Sequence, residues 1–418
     1  MAATRAYLRA MAKDTDILIA GGGLNGMALA IALGQAGVGV TLVDPIASET
    51  RADPEFDGRG YALSLSSQRL LKAIGIWKVV ADKSQPILHI TVSDGRAGEG
   101  ASALTLDFDH GEIEEGPMGH MVEDRVLRPA LVQAVTDAKN VTHLTGQAVV
   151  DHHPDGAGVS IGLSGGSSVQ ANLLIGSDGK KSATAARAGI RRVGWDYRQT
   201  ALVCAIQHER PHRGIAHQFF MPPGPLAILP LPGNRSSIVW TEAHEVARSI
   251  SEMDDAGYLD VLRPRFGDFL GDITLAGSRF AYPLALSIAE RFVGDRLALV
   301  GDAAHAVHPI AGQGLNAGLK DVAALAEVLV HARRRGEDIG RPDVLARYEQ
   351  WRRFDVAALA LATDGFNRLF SNDNPVLRLG RDLGLGLVNR LPGVRRGFIR
   401  EAAGLTGDLP RLNQGLPL

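Results

Sequence analysis

The chain has 418 residues, more than one hydrophobic core ordinarily spans, so two units are expected. Hydrophobic residues at 45%, charged residues at 22% and a net charge of −2 describe a globular protein with no field to recruit nucleic acid. Cys204 is the single cysteine, which excludes an internal disulfide and a cysteine-based metal cluster and fits a reducing, cytoplasmic setting.

Residues 1–16 carry Arg5, Arg9 and Lys13 but lack the apolar core of a signal peptide; a frayed extension is expected, with Met11 an alternative start. No apolar run approaches the ~18 residues of a spanning helix. Residues 16–44 then read strand, turn, helix, strand, a βαβ unit and hence a parallel sheet. The turn is Gly21-x-Gly23-x-x-Gly26. Glycines there let the backbone approach a pyrophosphate, and the helix start supplies free N–H groups and partial positive charge. Asp44 ends the second strand, placed to accept hydrogen bonds from ribose hydroxyls. A carboxylate at that position disfavours a 2′-phosphate, so NADP is not the ligand of this unit, and NAD or FAD remain.

Further along, 66–76 reads as a helix, 87–93 and 103–108 as strands, and 124–138 as a helix. Short alternating runs broken by PDGAG and SGGSS lead to ANLLIGSDG at 171–179, a meander returning to the sheet. From 198 to 240 apolar and polar residues alternate between PPGP and LPLPGN turns, the pattern of an antiparallel sheet.

The stretch RLALVGDAAHAVHPIAGQGLNAGLKD decides the cofactor. A buried strand stops at Gly301-Asp302, and a second glycine-rich turn, with Gly312 and Gly314, feeds a helix beginning near Leu315. NAD needs no such second clamp. FAD is longer: Asp302 can bind ribitol hydroxyls, and the helix start can face the flavin edge where negative charge collects on reduction. His305 and His308 lack further metal ligands; they are expected to fix the loop through the backbone, with no metal bound. Pro309 shapes the loop over the flavin face.

These runs together resemble the class A FAD-dependent aromatic monooxygenases, with Asp178-Gly179 similar to the family's Asp-Gly motif and Arg187 similar to the arginine after it. The runs DGRGYALSLSSQRLLKAIGIW, EDRVLRPAL, QFFMPPGPLAILPL, SIVW, YPL and LFSNDNP narrow the resemblance to the ubiquinone-biosynthesis hydroxylases. Asn25 and Lys180-Lys181 depart from the usual pattern. The resemblance implies an α/β, Rossmann-like FAD-binding domain of p-hydroxybenzoate-hydroxylase type, an inserted antiparallel-sheet substrate domain and a helical C-terminal tail. The expected boundaries are 1–78, 104–190 and 281–350 for the FAD domain, 79–103 and 191–280 for the substrate domain, and 351–418 for the tail.

For the site, the resemblance implies cofactor contacts from Gly21, Gly23, Gly26, Asp44, Arg59, Arg125, Asp178, Gly301, Asp302, Gly314, Leu315 and Asn316. Pro309, Gln313 and Gly314 would shape the flavin and oxygen pocket, and Gln218, Phe220, Leu226 and Trp240 the substrate pocket. The implied reaction is hydroxylation of a polyprenylated phenol in ubiquinone biosynthesis, with FAD, O2 and NAD(P)H as transient reductant. Implied partners are a membrane surface on the inner face of the cell membrane, a biosynthetic complex or a second copy of the chain, and no nucleic acid. Arg378, Arg381, Arg390, Arg395, Arg396 and Arg400, interleaved with Leu377, Leu379, Leu383, Leu385 and Leu387, are the tail residues that would meet the membrane. The rival expectations are a hydroxylase of a small soluble aromatic, anchored by Arg198, Arg210, Arg213 or Arg235, a flavin reductase without oxygenation, and a flavin-containing scaffold subunit.

Overall fold

The computed structural model describes residues 13–53, 59–98, 100–370 and 391–418. Its first sheet runs in the order Val293–Gly294, Leu297–Leu299, Leu173–Gly176, Ile17–Ala20, Val40–Asp44, Val141–Thr145. All neighbours are parallel except the first pair. The central strands are buried along their whole length, as expected when helices cover both faces. The helices Leu24–Gln35 and Gln313–Arg334 lie against each other. A Cβ on Gly301 or on Gly318 would run into the side chain of Asn25, so two glycines make room for one amide. The departure at Asn25 is thereby accommodated.

The second sheet is larger, in the order His305–Ala306, Phe280–Ala289, Arg192–His208, Arg235–Ala243, Gly224–Leu231, Ile215–Met221, His89–Arg96, Gly100–Asp109. It is antiparallel except where Ile215–Met221 runs parallel to His89–Arg96, because that strand arrives from an earlier part of the chain. On one face it carries the helices His244–Ser251 and Asp255–Phe266, and Trp240, Tyr258, Leu262 and Phe266 form an apolar core between them.

Several expected limits shift. The helix expected at 66–76 spans Leu65–Ala73 and stops short, because Gly75 adopts a left-handed φ of 84°; a separate short helix, Trp77–Val80, follows beyond the expected limit. The strands Gly100–Asp109 and Phe280–Ala289 stay in the larger sheet to their ends, so the boundaries at 104 and 281 fall inside strands. A strand is held by its ladder, and the chain leaves a sheet at turns. The helix Pro342–Phe370 runs unbroken through the boundary at 350. The C-terminus returns to the first unit, where Asn413 donates to the Ser66 carbonyl and the Arg411 amide donates to Glu327.

Candidate active site

A continuous cavity of about 1420 Å3 runs from the first glycine turn to the face of the larger sheet that the two helices leave free. At the nucleotide end, Gly21 has a φ of 110° and packs so tightly on Ser177 that no side chain fits, while a Cβ on Gly23 would meet nothing within 4 Å. The helix Leu24–Gln35 begins there without a side-chain cap, leaving its first N–H groups for a ligand. Asp44 is fully buried, and Arg51, which sequence reasoning missed, donates to both its oxygens from Nε at 2.8 Å and Nη2 at 3.0 Å. Asp44 also accepts from the Ile46 amide at 3.0 Å and does not itself line the cavity, so the expected ribose contact is not seen in the geometry; what the carboxylate does is fix Arg51, which lines the cavity.

The middle of the cavity departs further from expectation. Asp178 accepts from the Ser182 hydroxyl at 2.5 Å and the Thr184 amide at 2.9 Å, so its carboxylate caps the helix Ala183–Arg187. Its neighbours Ser177, Gly179 and Lys180 line the cavity, whereas Arg187 is exposed and bonds Thr184. Arg125 pairs with Glu123 at 3.0 Å on the surface and does not line the cavity. Arg128, one turn further round the same helix, does. Its guanidinium is held by Asp124 at 2.8 and 2.6 Å, and Tyr61 donates to the same carboxylate at 2.8 Å. Arg59 lines the cavity and sits over the rings of Tyr61 and Tyr282 at 5.7 and 5.3 Å.

At the far end, Gly301 takes a φ of 59° and Asp302 projects into the cavity edge as an exposed residue. The turn is held from behind. Asp321, fully buried, accepts from the Gly301 amide at 3.0 Å, His305 Nε2 at 2.6 Å and Arg352 Nε at 2.8 Å. Arg192 donates to the Asp302 carbonyl at 3.1 Å and to the Ala303 carbonyl. The helix Gln313–Arg334 starts after Gly312 with no side-chain cap, and Pro309, Gln313, Gly314, Leu315 and Asn316 line the cavity around that start. Asn316 ties the helix to the strand Gly60–Ser64, donating to the Ala62 carbonyl at 2.8 Å and accepting from the Ser64 amide at 2.9 Å. His305 and His308 bond side chains, Asp321 and Gln199, where backbone partners were expected.

The sheet face corrects the expected substrate pocket. Gln218 and Phe220 line the cavity, but Leu226 and Trp240 do not. These two are register partners on adjacent strands, so they share a face, and that face is the helix-covered core. Trp240 donates to Glu242 at 3.0 Å and lies under Arg265. Alternate residues point the other way: Ala201, Val203, Ala227, Val239 and Thr241 make the cavity wall. On the opposite face the His217 ring lies against Phe219 and Phe269, and burial holds it neutral with a pKa of about 4. Phe366, Leu369, Phe398 and Ile399 border the cavity from the C-terminal helices. Of the basic tail, Arg395 binds Glu112 at 2.8 Å, while Arg378, Arg381 and Arg390 and the leucines between 377 and 387 lie outside the described residues.

The residues fit FAD. Two uncapped helix starts face one cavity, a cationic group of Arg51, Arg59, Arg128 and Lys180 lines it, and the carboxylate of Asp302 stands at its far edge. Typical ligand pockets are roughly 300–1,000 Å3, so the cavity has room for a second molecule beside the cofactor.

Comparison with known proteins agrees. Residues 14–363 match the family model described as FAD binding domain. The chain is 46% identical over 409 residues to the ubiquinone hydroxylase UbiL of Rhodospirillum rubrum, covering 97% of this chain and 94% of that one. It is 36% identical to the 3-demethoxyubiquinol 3-hydroxylase of Escherichia coli, covering 94% and 99% of the two chains. The human ubiquinone biosynthesis monooxygenase COQ6 is 31% identical, covering 93% and 92%. Among solved structures, p-nitrophenol 4-monooxygenase PnpA of Pseudomonas putida superposes with a TM-score of 0.78 at 20% identity, covering 94% and 98%, which is a likeness of fold.

Proposed function

The chain belongs to the ubiquinone hydroxylase family of FAD-dependent class A monooxygenases, and from that premise we propose that it hydroxylates the ring of a polyprenylated phenol. It is an FAD monooxygenase of ubiquinone biosynthesis. Bound FAD supplies the redox and oxygen chemistry, with NAD(P)H as visiting reductant. The protein's own part is to hold, orient and exclude water. Arg51, Arg59 and Arg128 supply positive charge along the cofactor path, and Pro309 and Gly314 bound the flavin end. Ala201, Val203, Ala227, Val239 and Phe220 give the ring a dry, flat wall.

The observation that carries this reading is the apolar continuity of one cavity from the sheet wall to Phe366, Leu369 and Phe398 on the outer helices. A short acidic aromatic would want a cationic anchor, and Arg198, Arg210, Arg213 and Arg235 do not line the cavity; Arg235 is committed to Glu123 at 2.9 Å. The decisive assay supplies FAD-loaded enzyme with NAD(P)H, heavy-isotope O2 and a short-chain polyprenyl phenol. Label in the ring supports the reading; reductant consumed with all oxygen recovered as peroxide overturns it.

The same helices support a seat on a membrane surface. Among the described residues no helix is long and apolar enough to cross a bilayer. On Pro342–Phe370, Phe354 is 80% and Leu361 75% exposed, on a face that continues through Ala358 and Gly365 to Leu369 at the cavity. Arg353 and Arg368 flank it, as suits anionic headgroups. Vesicles containing anionic lipid should co-sediment the protein, and the double substitution Phe354→Asp, Leu361→Asp should abolish this. Unchanged sedimentation would remove the helix from the proposal.

A further inference from the structure

We propose that His89, Asp109 and His110 form a binding site for a transition-metal ion, with Zn2+ the best match, on the outer face of the edge hairpin of the larger sheet. The strands His89–Arg96 and Gly100–Asp109 are antiparallel, and His89 and Asp109 are register partners, so their side chains stand together on one face. Ile90 and Phe108, the next pair along, line the cavity. Alternation therefore turns His89 and Asp109 away from it. His110 opens the short 3-10 turn His110–Glu112, and its ring meets that of His89 edge-on, centroids 6.0 Å apart. The side chains of His89, Asp109 and His110 are 43%, 50% and 34% exposed, so an ion reaches all three from solvent.

One ligand atom from each residue lies within 4.8 Å of those of the other two. Asp109 Oδ2 is 3.7 Å from His89 Nδ1, and Asp109 Oδ1 is 3.2 Å from His110 Nδ1. An ion holding tetrahedral ligands at about 2.0–2.2 Å keeps them roughly 3.3–3.6 Å apart. Both carboxylate–imidazole spacings are close to that, and small turns of the half-exposed rings bring the imidazoles together. The Gly111 amide donates to Asp109 Oδ1 at 2.8 Å, which steadies the carboxylate from behind with Oδ2 toward His89. His110 Nδ1 bonds the Leu88 carbonyl at 3.0 Å; that carbonyl also takes the His110 amide at 3.0 Å, so it keeps a donor when the ring gives up its bond. Two imidazoles and one carboxylate suit Zn2+, with water as the fourth ligand, whereas Mg2+ and Ca2+ seek oxygen shells. The ion ties the first residue of one edge strand to the last of its neighbour, behind the stretch of cavity wall made by Ile90 and Phe108.

The test uses the FAD-loaded full chain, dialysed against a chelator and then against chelator-free buffer, with zinc chloride as the probe. In competition with a chromophoric chelator, wild type should take up one equivalent of Zn2+ and gain in melting temperature. His89→Ala, His110→Ala and Asp109→Asn should each weaken uptake by about ten-fold or more and lose the gain. His153→Ala removes another exposed histidine, paired with Asp151 at 2.7 Å, and should leave both readings unchanged. An unchanged flavin spectrum confirms that each variant is folded. Co2+ reads the same point in wild type: it should give the visible bands of tetrahedral coordination, beyond the flavin's own absorption, and Mg2+ in excess should not displace it. Wild type that takes up no Zn2+ at micromolar concentration, uptake undiminished by the three substitutions, or equal weakening by His153→Ala overturns the site.

Discussion

The carboxylate of Asp321 accepts the amide proton of Gly301 at 3.0 Å, so a helix residue holds the turn that presents Asp302. The same carboxylate is shared by His305 and Arg352, all three side chains being buried. Asp321→Asn should cost about 3 kcal/mol, because removing one charge of a buried pair strands the other. Burial alone would raise the Asp321 pKa, but the charges and hydrogen bonds of His305 and Arg352 outweigh it and leave the value below the ordinary 3.8. A depressed carboxylate stabilises fully above its unfolded pKa and loses its contribution as pH falls through the folded one. Denaturant unfolding should therefore show the gap between wild type and Asp321→Asn constant at neutral pH and closing below pH 3.8. A gap that persists in acid would mean the pair is not ionic.

Arg51 should matter to FAD retention although no glycine motif points to it. It lines the cavity and holds Asp44 with two bonds. Arg51→Ala removes a charged donor worth about 1.5–3 kcal/mol, so FAD affinity should fall roughly ten- to a hundred-fold. Fluorescence titration of apoprotein measures it; an affinity within two-fold of wild type would place Arg51 outside the cofactor's reach.

Trp240→Ala and Phe220→Ala should separate stability from coupling. Trp240 is 1% exposed in the helix-covered core, where loss of its ring costs about 3–5 kcal/mol. The protein that remains folded should couple reductant use to hydroxylation as wild type does. Phe220 stands in the cavity wall, and its loss should raise peroxide release. Peroxide assays beside melting curves decide; equal uncoupling in both variants would show that the two faces are not independent.

Gly318→Ala offers a change of sign. In the native chain a Cβ at 318 collides with the Asn25 amide, so the variant should be destabilised. With Asn25→Ala in place the collision is gone, and alanine in the helix should stabilise by up to about 1 kcal/mol over glycine. Melting temperatures of the four proteins test this. If Gly318→Ala has the same sign in both backgrounds, Asn25 is not what the glycine accommodates.

The βαβ unit and the Gly301-Asp302 turn were legible because their glycines serve backbone geometry that no other residue can supply: Gly21 and Gly301 both take positive φ. The larger sheet was legible as a sheet, yet its facing was not. Alternation separates residues into two sets, but here both sets are apolar, since one face meets helices and the other lines the cavity. Trp240 looked like a pocket residue for that reason. Arg125 and Arg128 differ only by where the helix Asp124–Asp137 turns them, and the sole available cue was the i, i+4 spacing of Asp124 and Arg128. The ties of Asp321 to Gly301 and of His308 to Gln199 join residues that no local pattern relates.

One sheet with two unlike faces has an evolutionary corollary. Ala201, Val203, Ala227 and Val239 can change size without entering the core around Trp240 and Tyr258. Lineages carrying this scaffold are thus free to drift toward differently substituted rings while their folding free energy stays nearly level, and variation among paralogues should concentrate on alternate positions of these strands.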